Sequence, residues 1–295
     1  MVTEQELRTA VEAVLREMGG WRPEAPAAVG GLARPAAGGG EGDLLPDLLA
    51  ADLQAVVNVP RPHDLEALKA LKKRTPARLG VWRAGPRYLT ETLLRFRADH
   101  AVAMDAVFTD VAEEWLRANN LPRFQTKCEN RDVFLTRPDL GRAFEAEELN
   151  KIKAHVGAAS RVVVFVADGL STTAVTVNAL DTFKAIADGL TRHGLKPAPP
   201  FFVQYGRVGA EDAVAEAVGA EVVCVLIGER PGLITSESLS AYLAYKAVAD
   251  MPEARRTVVS NIHQRGTPAV EAGGYIADLI KTMLDRKASG LDLKL

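Results

Sequence analysis

The 295-residue chain has only two cysteines, Cys128 and Cys224. Cys224 lies inside an apolar run, where a small buried thiol fits better than a disulfide, and so sparse a use of cysteine suits a reducing compartment. An excess of one charge is also missing. Lys and Arg number 36 against 38 Asp and Glu, which gives no electrostatic argument for a nucleic-acid or acidic-membrane partner. No apolar stretch reaches the roughly 18 to 20 residues that span a bilayer, and the N-terminus lacks a basic region followed by an apolar core. Membrane insertion and secretion are therefore not expected. No Gly-x-Gly-x-x-Gly stands at a strand-to-helix turn and no Gly-Lys-Ser or Gly-Lys-Thr phosphate loop occurs, so dinucleotide and nucleoside-triphosphate readings lose their main support. His63, His100, His155, His193 and His263 are scattered, with no pair at metal-ligand spacing. Hydrolase marks such as Gly-x-Ser-x-Gly and Ser-x-x-Lys are absent as well.

What the chain does have is a repeated pattern between Arg161 and Gly266. Four apolar runs, Val162–Val166, Phe201–Val203, Val222–Ile227 and Val258–Val259, each break into a loop mixing glycine or polar residues with charge. The loops are Asp168-Gly169-Leu170-Ser171, Tyr205-Gly206-Arg207-Val208, Gly228-Glu229-Arg230-Pro231-Gly232 and Ser260-Asn261-Ile262-His263-Gln264. Runs rich in β-branched residues and separated by helix-length stretches read as parallel strands buried on both faces. With Leu239–Tyr245 as a further strand, the expected fold is a doubly wound α/β domain over 145–295, with a mostly parallel Rossmann-like sheet of five strands. Its helices fall over 172–190, 211–218 and 269–287. Ligands of such sheets bind outside the carboxyl ends of the strands.

Before this domain, residues 44–144 read as a helical region. Within it, Leu89, Leu93, Phe96, Ala101, Met104, Phe108 and Val111 form one apolar face of a helix spanning 88–118. Two basic turns, Arg83-Ala84-Gly85-Pro86-Arg87 and Thr136-Arg137-Pro138-Asp139, are open to an anion or to a local ion pair. Residues 1–18 form an amphipathic helix with a Thr3-Glu4-Gln5-Glu6 capping box, and 19–43 are a Gly/Ala/Pro linker expected to be flexible. Such a helix either docks in a partner's groove or folds back on its own domain.

Among the loop residues, Asp168 at a strand end can accept hydrogen bonds from a ligand or cap the helix that follows. The ligand role suits Asp168 better, and capping suits Ser171. Gly228–Gly232 places an acid and a base at the sheet's rim, though it can also serve only as a connection. His263 in Asn261-Ile262-His263-Gln264-Arg265-Gly266 has an x-x-His-x-x-Gly form, in which some cobalamin proteins use a histidine on cobalt. Here Asn261 replaces their acid, and a satisfied loop histidine fits better. Loops fit for a ligand, without a nucleophile or metal set, point to cofactor binding or to a reaction supplied by a partner chain.

Taken in order, these segments resemble the small subunit of ethanolamine ammonia-lyase. The matching strings include Arg83–Arg87 with Leu93-Leu94-Arg95-Phe96 and Ala98-Asp99-His100, then Leu135–Asp139, Asp168–Thr172 and Phe201–Val208. Gly228–Leu233, Ser236–Ser240, Ser260–Gln264 and Lys287–Gly290 complete the set, spanning about residues 60 to 290. The resemblance implies a non-autonomous subunit of an adenosylcobalamin-dependent lyase that converts ethanolamine to acetaldehyde and ammonia. It implies a barrel-shaped large subunit as partner, with the cofactor lying between the chains. It places Val208, Glu229 and Val258 at the cobalamin, with Arg207 and Asp168 as further contacts, and it argues against His263 as a cobalt ligand. Some relatives have cysteine where Val258 stands, so that contact is apolar or made through backbone. The family also implies a bacterial microcompartment lumen, otherwise the cytoplasm, with residues 1–18 resembling an encapsulation peptide for shell proteins. The competing class is a stand-alone α/β module that senses a cobalamin or nucleotide, and a non-enzymatic microcompartment scaffold is a third.

Overall fold

The computed structural model describes residue 48 and residues 51–53, 55–157 and 160–294. The helix expected over 1–18 and the linker expected over 19–43 lie outside the described residues. The chain divides into two compact units, Met1–Ala98 and Asp99–Leu295.

In the first unit, Asp64 caps helix α1 (Leu65–Lys72), its carboxylate accepting from Ala67 N at 2.8 Å. The Arg83–Arg87 turn is a hairpin of β1 (Arg83–Ala84) and β2 (Arg87–Tyr88), with Gly85 at φ +63°. Both arginines bond locally, Arg83 Nη1 to Pro86 O at 3.0 Å and Arg87 Nη1 to Thr90 Oγ1 at 3.2 Å. Helix α2 (Thr90–Phe108) crosses the division between units. Of the apolar face expected along it, Leu93, Met104 and Phe108 are exposed, as is Leu94, while the charged Asp99 is buried. The helix stops at Phe108 and resumes as α3 (Glu113–Ala118).

The second unit is built on a six-stranded sheet. In chain order the strands are β3 (Arg123–Gln125), β4 (Val162–Ala167), β5 (Phe202–Gln204), β6 (Val222–Gly228), β7 (Leu239–Tyr245) and β8 (Thr257–Ile262). Their order across the sheet is β3-β5-β4-β6-β7-β8. The pairs from β3 to β6 are parallel, β7 is antiparallel to both of its neighbours, and β8 therefore runs with the first four. The mostly parallel α/β expectation is met, with one strand more than the five foreseen. The extra strand is β3, inside the stretch 44–144 read as helical. Arg123-Phe124-Gln125 has a single apolar residue, and its β-structure is imposed by pairing with β5.

Alternation along the strands divides the core cleanly. Val162, Val164, Val166, Cys224 and Leu226 face one side, against α7 (Leu180–Arg192) and α9 (Ala269–Arg286). Val163, Phe165, Ala167, Val223 and Val225 face the other, against α5 (Ala146–Val156) and α8 (Ala210–Val218). Between the β3 edge and α5, α4 (Arg131–Thr136) is capped by Asn130, whose side chain accepts from Val133 N at 3.0 Å. The short helix α6 (Thr172–Ala174) follows β4 and passes through a π-helical turn, Val175–Ala179, into α7. Ser171 caps α6, its Oγ accepting from Ala174 N at 3.0 Å, as expected. Cys128 and Cys224 are free and buried. No helix among the described residues is long and apolar enough to cross a membrane.

Candidate functional site

Because β4, β5, β6 and β8 run in one direction, the loops after β4, β5 and β6 emerge at the rim where β8 also ends; Ser260-Asn261-Ile262, expected as a loop, instead continue β8, and only His263-Gln264 lie beyond it. The connection from β4 leads to β5 on one side, whereas β6 continues to β7 on the other, so the two diverge between β4 and β6. That is where ligands of open α/β sheets enter. Here the chain itself fills the position. Leu170 N donates to Gly228 O at 2.9 Å, and a Cβ on Gly228 would lie 2.1 Å from Ser171 O and 2.6 Å from Asp168 O. Gly169, at φ +55°, is equally confined, since its Cβ would stand 2.3 Å from Gly228 O.

The half of the rim over β4 and β5 is closed around Asp168, which has no exposed surface. Its Oδ1 accepts from Gly206 N at 3.0 Å, and its Oδ2 lies 3.2 Å from Arg131 Nη2. Burial outweighs the attraction of Arg131 and lifts the Asp168 carboxyl to about 6. Arg131 Nη2 also reaches Asp110 Oδ1 at 2.6 Å, and the Tyr205 hydroxyl donates to Asp110 Oδ2 at 3.1 Å. Tyr205 holds a left-handed φ of +57° and its carbonyl accepts from Thr126 Oγ1 at 3.0 Å. Arg207 is half-buried, its guanidinium 4.2 Å over the Phe134 ring and its Nη2 donating to Phe134 O at 2.8 Å. The structure thus buries Asp168 within the chain, where it holds Gly206 N, and leaves Arg207 half-buried against Phe134.

The half over β6, β7 and β8 is open. Register places Val225, Tyr242 and Val258 side by side across three strands, on the face that packs against α8. The Tyr242 hydroxyl donates to Glu229 Oε1 at 3.1 Å, and Val208, ahead of α8, packs on the same apolar cluster. Val208, Glu229 and Val258 therefore share one face of the sheet, with Val258 level with Val225, three residues before the end of β6. Val208 and Glu229 are half-buried, while Val258, on the edge strand, is 45% exposed. Glu229 is anchored through its backbone, N to Ser238 O at 3.0 Å.

Arg256 braces this face from below. Its side chain is 2% exposed and grips Asp212 through both terminal nitrogens, at 2.9 and 2.8 Å. The same guanidinium reaches Glu211 at 3.1 Å and Glu253 at 2.9 Å. Burial works against its charge, but Asp212, Glu211 and Glu253 together hold it firmly protonated. Burial also pushes the Glu211 carboxyl well up, against the pull of Arg256. The brace ties the start of β8 to the first turn of α8, and so sets Val258 relative to Val208.

His263 closes its own turn: its Nδ1 accepts from Arg265 N at 3.3 Å, and its backbone N donates to Thr267 O at 3.1 Å. Arg137 pairs with Asp139 at 2.7 Å on the surface. No cluster of metal-ligating side chains is found among the described residues. Sequence reasoning missed Arg131, Asp110, Tyr242 and Arg256. A tyrosine set between the small Ser240 and Ala244 on one face of the strand was the available sign for Tyr242. An acid pair, Glu211-Asp212, and a basic pair, Arg255-Arg256, each at an element's start, were the signs for the brace.

Comparison with known proteins identifies the family. Residues 65–294 match the family described as ethanolamine ammonia-lyase light chain. The ethanolamine ammonia-lyase small subunit of Clostridium tetani is 56% identical over 255 residues, 86% of each chain. That of Clostridioides difficile is 53% identical over 248 residues, covering 84% of this chain and 85% of the relative. That of Listeria monocytogenes (strain EGD-e) is 49% identical over 294 residues, covering 99% of this chain and all of the relative. With the family match spanning both the sheet and the rim loops, and identity near one half along almost the whole length, the chain belongs to the ethanolamine ammonia-lyase light-chain family.

Proposed function

We propose that this chain is the small subunit of an adenosylcobalamin-dependent ethanolamine ammonia-lyase, and that its open rim caps the cobalamin against a large subunit that binds the substrate. The observation that carries the reading is the convergence of Val208, Glu229 and Val258 on one side of the sheet. A corrin presents apolar ring edges and amide side chains. Two valines offer the first an apolar surface, and a half-buried carboxylate offers the second a charged acceptor. These residue types fit the group. When bound, the cofactor supplies a cobalt–carbon bond that opens homolytically, and with it the radical chemistry of the rearrangement. This chain's residues bind and orient. Val208 and Val258 cover apolar surface, Glu229 fixes one edge, and the closed half of the rim keeps water from entering between β4 and β6.

The relatives are called small subunits, which implies a large one. The exposed apolar residues of α2 in the second unit, Met104 and Phe108, fit a surface covered in such an assembly. Residues 1–18 would serve as the encapsulation peptide that carries the complex into a microcompartment, with the cytoplasm as the alternative site.

The test is ammonia release from ethanolamine with added adenosylcobalamin. We expect turnover only when both subunits are present. Replacing Glu229→Gln should raise the cobalamin concentration for half-saturation by roughly tenfold without loss of folded complex. Turnover by this chain alone, or a complex that takes up no cobalamin, would sink the reading. Cobalamin uptake by a chain that never associates with a large subunit would favour the stand-alone module instead.

A further inference from the structure

We propose that Tyr242 is a positioning residue for the cobalamin face: its hydroxyl fixes one oxygen of Glu229, leaving the other to accept from the ligand. The proposal rests on the functional reading above and assigns a role to a side chain on β7, one strand inside the β8 edge.

The geometry is one of restraint. A glutamate at the end of a strand has three side-chain torsions, and ordering it on binding costs entropy that a pre-formed hydrogen bond removes. The backbone of Glu229 is already held by its bond to Ser238 O, and Tyr242 holds the carboxylate through Oε1 at 3.1 Å. Among the described residues no other side chain bonds to either Glu229 or Tyr242. The Tyr242 ring is itself fixed. It stands between Val225 and Val258 in the sheet and packs on the cluster beneath α8, so only its hydroxyl end reaches the rim. An aromatic side chain has few torsions to lose, which makes it a stiff support for a flexible acid.

The phenol also stays a donor. Burial first, and then the charge of Glu229, push Tyr242 up to about 12, with Glu253 and Glu211 adding to the effect. At neutral pH it therefore always presents a proton to Glu229, and the bond keeps one direction. The same bond makes Val258 part of the device. Val258 shields one side of the ring from solvent, so the apolar contact and the oriented acid are built on one support.

The experiment uses the complex of the full chain with its large subunit and cyanocobalamin as the probe, measured by equilibrium dialysis. Tyr242→Phe keeps the ring and removes the hydroxyl, and should weaken binding roughly fivefold. Glu229→Gln should weaken it roughly tenfold, and the double variant should bind no worse than Glu229→Gln alone, because Tyr242 acts only through that acid. A second measurement needs no cofactor and no Tyr242 variant. In an ultraviolet titration of the full chain, Glu229→Gln should let one of the five phenols ionise at lower pH than in the wild type. Equal binding by wild type and Tyr242→Phe, additive losses in the double variant, or phenol titrations that Glu229→Gln leaves unmoved would each overturn the proposal. A wild-type complex that binds no cobalamin overturns the functional reading, and this proposal with it.

Discussion

At the β4–β5 half of the rim, Asp168 is wholly buried and spends its two oxygens on Gly206 N and Arg131. At the β6–β8 half, Glu229 is half-buried and touches a single neutral side chain, the Tyr242 hydroxyl. Both are acids at the end of an apolar strand, each beside a glycine. What separates them is the element opposite. Asp168 meets a buried arginine brought in by α4, and the acid becomes an internal brace. Among the described residues Glu229 meets no cation, and one oxygen keeps its capacity to accept. A charged residue at a strand end thus marks a rim, but its partner decides whether it faces a ligand or the chain.

The comparison breaks most directly at Asp168. Asp168→Ala strips Gly206 N of its acceptor and Arg131 of its deepest partner, and should cost about 3 kcal/mol in urea denaturation at neutral pH. Asp168→Asn keeps an acceptor and should cost much less, but it changes the pH dependence. The folded Asp168 carboxyl lies at about 6 against an ordinary aspartate value of 3.8, so between these values the folded state holds a proton the unfolded chain has lost. Stability should therefore fall as pH rises through this window, by about 3 kcal/mol in total, and Asp168→Asn should lose that part of the slope. Glu211 and Asp212 are raised too and contribute slopes of the same sign, so the difference between wild type and variant is the informative quantity. Identical slopes would show that Asp168 is not the brace described.

Next in size is Gly228→Ala, at the point where the two halves meet. The new Cβ would press on Ser171 O and Asp168 O, both backbone atoms that cannot swing away. A loss of about 2 kcal/mol is expected, with the Leu170–Gly228 bond weakened. Unchanged stability would mean that the crevice between β4 and β6 is open to a ligand after all.

How much of this was legible follows from the same contrast. The strands β4 to β8 and the helices after them could be read because each is a run with its own period, and Ser171 could be read as a cap because capping is local. The direction of β7 was also within reach. Residues 229–238 and 246–256 are too short to carry crossover helices, so β7 must lie antiparallel to its neighbours. The outward turn of α2 was not legible, since an apolar helical face looks the same whether it meets its own core or another chain. Nor was the inward turn of Asp168, because Asp110, Arg131 and Asp168 are brought together only by tertiary packing. The resemblance to a family gave Val208, Glu229 and Val258 as a set, but only the pairing of Tyr242 with Val258 explains why they share a side.

The smallest expected effect is the most discriminating. Val258→Thr replaces one methyl by a hydroxyl of similar size and keeps the β-branched form that suits a strand. Since Val258 is 45% exposed on an edge strand, the folded chain has little to lose, and stability should stay within about 0.5 kcal/mol of wild type. In the complex, a ligand covering that surface would meet a hydroxyl in place of a methyl, which should weaken cobalamin binding roughly threefold. At a buried position of the closed half, such as Val203, the same exchange would place an unpaired hydroxyl in the core and show chiefly in stability. If Val258→Thr instead lowers stability and leaves binding unchanged, Val258 belongs with the closed half, and the open face must be redrawn around Glu229 and Val208 alone.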